Sequence, residues 1–190
     1  FTAFASPIAI SSLNSSTFRD SVLQDSRDFL EYITWQSKGT LNDVFRSQDI
    51  FTTNSTLASI YGVTPRANSS ALPVKDTTGR YAGILTRAMI TQQKPGTNGA
   101  GNHVQRGVLF LSNLMGIELG LPASFNEQNA GAGSVFAGAS SLDEVKIKTS
   151  AANCMACHSV INPSGFALAK YDALGRYNDV EKRYSLNTSG

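Results

Sequence analysis

Cysteine is nearly absent from this chain. Its 190 residues contain two, Cys154 and Cys157, with two residues between them. A disulfide framework, which needs several pairs, is therefore excluded. Histidine is equally scarce, with only His103 and His158, so a four-ligand zinc site would consume every cysteine and histidine present. Charge is also low, at 16% of residues with a formal net charge of +2. No basic run or interleaved aromatic stripe accompanies it, and no nucleic-acid partner is expected. No stretch reaches the ~18 apolar residues of a membrane span, and no internal repeat is visible.

What remains is a chain long enough for one domain with a real core, or two small ones. Few charges together with abundant Ser, Thr, Asn, Gly and Ala suggest an extracytoplasmic protein or one with large buried contact surfaces. The opening "FTAFASPIAI" is apolar but lacks an initiating Met and a basic leader, so it does not read as an intact signal peptide. Missing upstream sequence or a covering partner is the expectation.

The apolar pattern predicts a mainly α fold with long loops. Ser16 to Lys38 carries Phe18, Val22, Phe29 and Ile33 at helical spacing, widened by Leu23 and Leu30, with Ser15 or Ser16 as cap and Gly39 as stop. Leu41 to Phe51 reads as a linker with helical turns. Asn54 caps a brief helix through Ile60 that ends at Gly62. Thr64 to Gly79 reads as a loop with one short extended pair at most. Ala82 to Gln92 is expected to be helical, 94–102 a loop, and Asn102 the cap of a helix whose stripe is Val104, Val108, Leu111 and Met115. A flexible Gly/Ala/Ser connection occupies 119–140. A helix is then expected from Ser141 to about His158, a turn at "INPSG" (161–165), and a last helix carrying Phe166, Leu168, Tyr171 and Leu174 to Gly175.

The chemistry concentrates in "CMACH", residues 154 to 158. Cys-x-x-Cys-His serves covalent attachment of c-type haem: two thiols one helical turn apart add to the porphyrin vinyl groups, and the adjacent imidazole meets the iron. Three other uses stay open. Zinc would need His103 as a fourth ligand. A thioredoxin-like pair would sit at a helix start in a βαβ setting, whereas this pair is expected near a helix end with no strand before it. A plain disulfide, or chance spacing, is the third.

The flanks favour haem. "CMACHSVINPSGFALAKYDALGRY" resembles the haem-binding end of a planctomycete-type family of cytochrome-c-like proteins built from consecutive domains of unknown function. "YAGILTRAMIT" and "HVQRGVLFLSNLMGIELGLP" are similar to the preceding module, and "RDFLEYITWQSKGTLNDVFRSQDIFTTNSTLASIYGV" to the one before that. The resemblance covers most of residues 27 to 178. It implies a cytochrome-c-like helical haem domain with an N-terminal helical extension, a single covalent haem c, a secreted or periplasmic location, and a truncated N-terminus. It also implies three segments: 1–80 as the end of a larger module, 81–140 as a middle helical module with its Gly/Ala-rich loop, and 141–190 as the haem-binding module. Asn162 stands where that family usually has Asp, and Ala169 where it has Glu.

Several residues would support the group. His158 is the iron ligand, and its second ring nitrogen needs an acceptor, for which a backbone carbonyl of the turn stiffened by Pro163 is the candidate. Phe166 belongs to an apolar face that packs in the core and touches the haem edge. No Met or His follows His158, so a downstream sixth ligand is excluded. Upstream candidates rank as His103, then Met89, then an open position, then Met115, which is expected in the core. Arg87 and Arg106 are candidate distal polar groups, with Arg106 expected on a carbonyl, a carboxylate or a haem propionate, or in solvent. The expected function is a monohaem electron carrier with redox protein partners inside a larger periplasmic or cell-surface assembly. The alternative is a haem enzyme with an open sixth position.

Overall fold

A computed structural model describes residues 15–92, 102–120 and 140–179. The expected apolar terminus, most of the 94–102 loop and most of the Gly/Ala/Ser connection lie outside the described residues. The fold is mainly helical. It divides into two compact units, one up to Ile90 and one from Thr91. No described helix is long and apolar enough to cross a membrane.

In the first unit, α1 (Ser16–Glu31) starts where the Ser15 side chain accepts the Phe18 N–H at 3.1 Å. It runs into a π turn at Tyr32–Gln36. Gly39 closes this segment because a Cβ there would lie 2.8 Å from the Ile33 side chain. Phe18, Val22, Phe29 and Ile33 are buried as their spacing predicts, but Leu23 and Leu30 are exposed, and with Trp35 and Met89 they line an open groove of about 500 Å³. α2 (Leu41–Arg46) begins with a capping box between Thr40 and Asp43. β1 (Asp49–Ile50) then pairs antiparallel with β2 (Val74–Lys75). Between them, α3 (Ser55–Tyr61) is capped by Asn54 and stopped by Gly62 at φ +71°, as its sequence signals predict.

The helix expected over Ala82–Gln92 is broken. A 3₁₀ turn at Ile84–Thr86 gives way to an extended Arg87, and only then to α4 (Ala88–Thr91). Tertiary contacts override the helical pattern here. Gly83 has φ +64° and lies so close to the Phe45 backbone that a Cβ would come within 2.3 Å of it, while the Arg87 side chain is drawn inward to Asp25. The apolar core joins Phe29, Ile33, Phe51 and Ile84, with Met89 packed at its margin.

That core surrounds a buried polar centre. Asp25 accepts the Phe51 N–H at 2.9 Å, the Tyr61 hydroxyl at 2.9 Å and Arg87 Nη1 at 2.7 Å. Arg87 also donates to the Asp49 carbonyl and lies 3.9 Å from the Phe29 ring centre. Tyr61 in turn accepts the Ala88 N–H at 3.0 Å. A buried charge is tolerable only when paired and hydrogen-bonded, and both charges meet that condition.

In the second unit, α5 (His103–Leu109) is capped by Asn102 and continues into a π turn at Phe110–Leu114. α6 (Ser141–Lys148) is capped by Ser140, and α7 spans Ala152–Phe166. Two glycines let α5 lie along α7. A Cβ on Gly107 would sit 2.2 Å from the Ile161 carbonyl oxygen, and one on Gly165 would sit 1.8 Å from that of His103. Advancing along α5 therefore means going back along α7, so the pair is antiparallel.

Three secondary-structure expectations fail in this unit. The helix starting at Ser141 stops at Lys148, because the Thr149 hydroxyl turns back to the Val145 carbonyl and that of Ser150 to the Ile147 carbonyl. α7 then starts afresh and runs straight through "INPSG". Pro163 is exposed, as is Ser159, whose carbonyl loses its helical partner to the proline. Nor is there a last helix from Phe166 to Gly175. Arg106 donates to the carbonyls of Leu168 (3.0 Å), Tyr171 (2.6 Å), Asp172 (2.7 Å) and Thr91, taking acceptors that a helix would use internally. Asp172 then folds the segment into a tight turn by accepting the N–H groups of Leu174 and Arg176.

Candidate functional site

The first two turns of α7 carry the chemistry. Cys154, Cys157 and His158 sit at i, i+3 and i+4 and so share one helix face. The expectation that the pair lies near a helix end is overturned. It lies at a helix start, because the break falls at Thr149 to Ala151. The two cysteines are thiols, each half-buried. Not one residue from Ala151 to Val160 is buried, although Ala151, Ala152, Met155, Ala156 and Val160 are apolar. Such a surface beside two thiols and an imidazole is left uncovered by the described residues.

His158 is nevertheless held. Its Nδ1 lies 2.9 Å from Asn162 Oδ1, the Asn162 amide donates to Thr149 Oγ1 at 2.8 Å, and the Thr149 hydroxyl donates to the Val145 carbonyl at 2.7 Å. Asn162 and Thr149 are buried, whereas His158 is half-buried. The chain of bonds thus runs from the α6 C-terminus to a ring whose Nε2 is left available. The expected acceptor was a backbone carbonyl in "INPSG". The structure supplies the Asn162 side chain from that same segment, because the helix continues and puts residue 162 one turn beyond residue 158. Neither Asn162 nor Thr149 was singled out for this from the sequence. The i, i+4 spacing of His158 and Asn162 was the available signal, hidden by the turn expected there.

The other expected site residues are scattered. His103 is buried at the start of α5, with Nε2 2.8 Å from Ser141 Oγ and its ring edge-on to Phe166 at 5.8 Å. Serving a metal through Nε2 would mean giving up that hydrogen bond. Gly165, its neighbour on α7, lies seven residues beyond His158, about 10 Å along a helix. Phe166 is half-buried between His103 and Lys146, whose Nζ lies 6.0 Å from the ring centre. Pro163 is exposed on α7. Met89 packs on the core of the first unit. Met115, expected in a core, is 57% exposed beyond the π turn. Arg87, expected as a distal group or in solvent, is buried on Asp25, and Arg106 is buried on backbone carbonyls, the first of the partners expected for it. Burial pushes the Arg106 guanidinium down to about 10, partly offset by Asp172 and Tyr171. Among the described residues no three His, Cys, Asp or Glu side chains converge as a metal cluster, so the four residues needed for zinc are not brought together.

Comparison with known proteins adds one match. Residues 81–181, just over half of the chain, fit the family model PSCyt3, described as a protein of unknown function (DUF1588). The chain belongs to the PSCyt3 family. Both the Cys-x-x-Cys-His turn and the Asn162–Thr149 relay fall inside the matched span, as does the α5–α7 pair. No curated protein and no solved structure gives a significant match to this PSCyt3 chain.

Proposed function

We propose that this PSCyt3 chain is a monohaem c-type cytochrome that carries electrons, with Cys154 and Cys157 as the thioether anchors and His158 as the proximal ligand. The observation that carries the proposal is the first two turns of α7. Two thiols and an oriented imidazole share one face of an uncovered, largely apolar surface. The donor set suits the group: a two-residue gap spans one helical turn, and an imidazole whose Nδ1 is held by a fixed acceptor presents the other nitrogen to a metal. A haem bound there supplies one-electron iron chemistry. Asn162 and Thr149 hold and aim the imidazole, and the unburied residues 151–160 leave room for the group and for a redox partner. The resemblance of the flanking sequence further supports a periplasmic or cell-surface setting and membership of a larger assembly.

A second reading, a haem enzyme with an open sixth position, is favoured by one observation. His103, the first-ranked distal ligand, is already engaged by Ser141. Optical spectra of the ferrous protein with and without carbon monoxide separate the two. Slow or absent CO binding is expected for an electron carrier with two protein ligands, and rapid binding for the enzyme. Acid-acetone extraction tests the attachment beneath both. The haem should stay with the denatured chain and be lost from the Cys154→Ala, Cys157→Ala double variant. Complete extraction from the unaltered chain would overturn the proposal.

A further inference from the structure

We infer that Asn162 is a positioning residue that fixes the proton of His158 on Nδ1, and that it does so before any metal or porphyrin is bound. The inference rests on the reading of His158 as a ligand and adds how that ligand is made ready. The relay permits only one arrangement of protons. The Val145 carbonyl can only accept, so the single hydroxyl hydrogen of Thr149 goes to it, at 2.7 Å. Thr149 Oγ1 is then left as an acceptor, and the Asn162 atom 2.8 Å away must be the amide nitrogen. A flipped amide would set two acceptors against each other in a buried site, which is costly. Asn162 Oδ1 must therefore face His158 Nδ1 at 2.9 Å, and because that oxygen can only accept, Nδ1 carries the hydrogen. A neutral imidazole has one N–H, so Nε2 keeps its lone pair.

The relay is anchored where it cannot easily move. Thr149, at the junction of α6 and α7, and Asn162, on α7, are both buried, between the half-buried Val145 and the half-buried ring. An imidazole free in water can put its proton on either nitrogen; here one choice is made by the fold. The acceptor is also neutral. A carboxylate at position 162 would pull harder on the Nδ1 hydrogen and make Nε2 a stronger donor to iron, favouring the ferric state.

The test uses the full chain carrying Cys154→Ala and Cys157→Ala, so that no haem is attached, with its histidines labelled with ¹⁵N. In the spectrum of the neutral imidazole, the His158 Nδ1 signal should lie in the pyrrole-type region and Nε2 in the pyridine-type region. Adding Asn162→Leu should replace this pattern with a mixture of tautomers, and Asn162→Asp should restore it. His103 is the control for folding, since its bond to Ser141 lies outside the relay. If Asn162→Leu also disturbs His103, the Asn162→Asp chain and Thr149→Val carry the test, with the pattern kept in the first and weakened in the second. In the haem-loaded chain, Asn162→Asp should move the midpoint potential in the negative direction. A His158 that is Nε2-protonated, or a mixture untouched by Asn162→Leu, overturns the inference. Because the tautomer is read without haem, that outcome is distinct from a failure of haem attachment, which would leave it unchanged.

Discussion

Asp25 and His158 both sit at the head of a hydrogen-bonded chain, yet the two chains end differently. The Asp25 network closes on itself. Its carboxylate is satisfied by a backbone N–H, a phenol and a guanidinium, and an apolar core surrounds it. The His158 chain also passes through buried residues, Thr149 and Asn162, but finishes at a half-exposed ring nitrogen amid ten residues of which none is buried. The same kind of polar chemistry thus does two jobs. In the first unit it completes a fold, and in the second it presents a ring nitrogen at an uncovered surface.

The sharpest way to break this contrast is to open the closed network. Asp25→Ala should strand a buried guanidinium and destabilise the first unit by about 3–5 kcal/mol. Urea unfolding followed by tyrosine and tryptophan fluorescence would register the loss, and a change within 1 kcal/mol would mean the network is not the centre of that fold. Next in size is Gly165→Ala, whose Cβ would fall 1.8 Å from the His103 carbonyl oxygen. A cost of about 1–3 kcal/mol is expected as α5 and α7 are pushed apart, and thermal melts of the second unit would report it.

Alkali probes the closed network without mutation. Burial, and then the neighbouring Asp25 charge, hold the Tyr61 phenol well above its usual range, with Arg87 opposing. Above about pH 10 an unfolded tyrosine loses its proton while the folded one keeps it, so the unfolded state binds fewer protons and stability falls with rising pH. The Tyr61 stabilisation is fully present below pH ~10 and should drop by up to about 1.4 kcal/mol per pH unit above it. It is read as the difference between the unaltered chain and Tyr61→Phe, because Arg106 contributes with the opposite sign there. The smallest effect is at the start of α6. Ser140→Ala removes the acceptor of the Asp143 N–H and should cost about 1 kcal/mol. The Ser140 hydroxyl holds the Asp143 carboxyl below its usual value. That contribution is present above about pH 4 and is lost as pH falls through the folded value.

Where local signals act alone, the sequence was legible. Ser15, Asn54 and Asn102 cap helices, Gly62 stops one, and Phe29 and Ile33 enter the core. The mainly α character follows from such elements. What was not legible depends on partners far along the chain. Arg87 leaves a helical stretch to reach Asp25, sixty-two residues away. Arg106 unwinds the segment after Phe166 by taking its carbonyls, and no spacing rule announces a guanidinium as their partner. Met115 and Leu23 fit helical stripes yet stay exposed, because periodicity says which residues share a face but not how wide a neighbour covers it. At the site, the two cysteines and His158 were evident from their spacing. Asn162 and Thr149 were not, because proline and glycine in "INPSG" read as a turn while the backbone continues as helix.

The most direct measurement is the intact mass of the denatured full chain, purified from cells that also express a c-type haem maturation system. The expected result is an excess of about 616 Da over the polypeptide, the mass of one haem, that survives acid-acetone and disappears in the Cys154→Ala, Cys157→Ala variant. A chain with the bare polypeptide mass, or one whose two sulfurs are joined to each other, would contradict covalent haem attachment at residues 154 and 157.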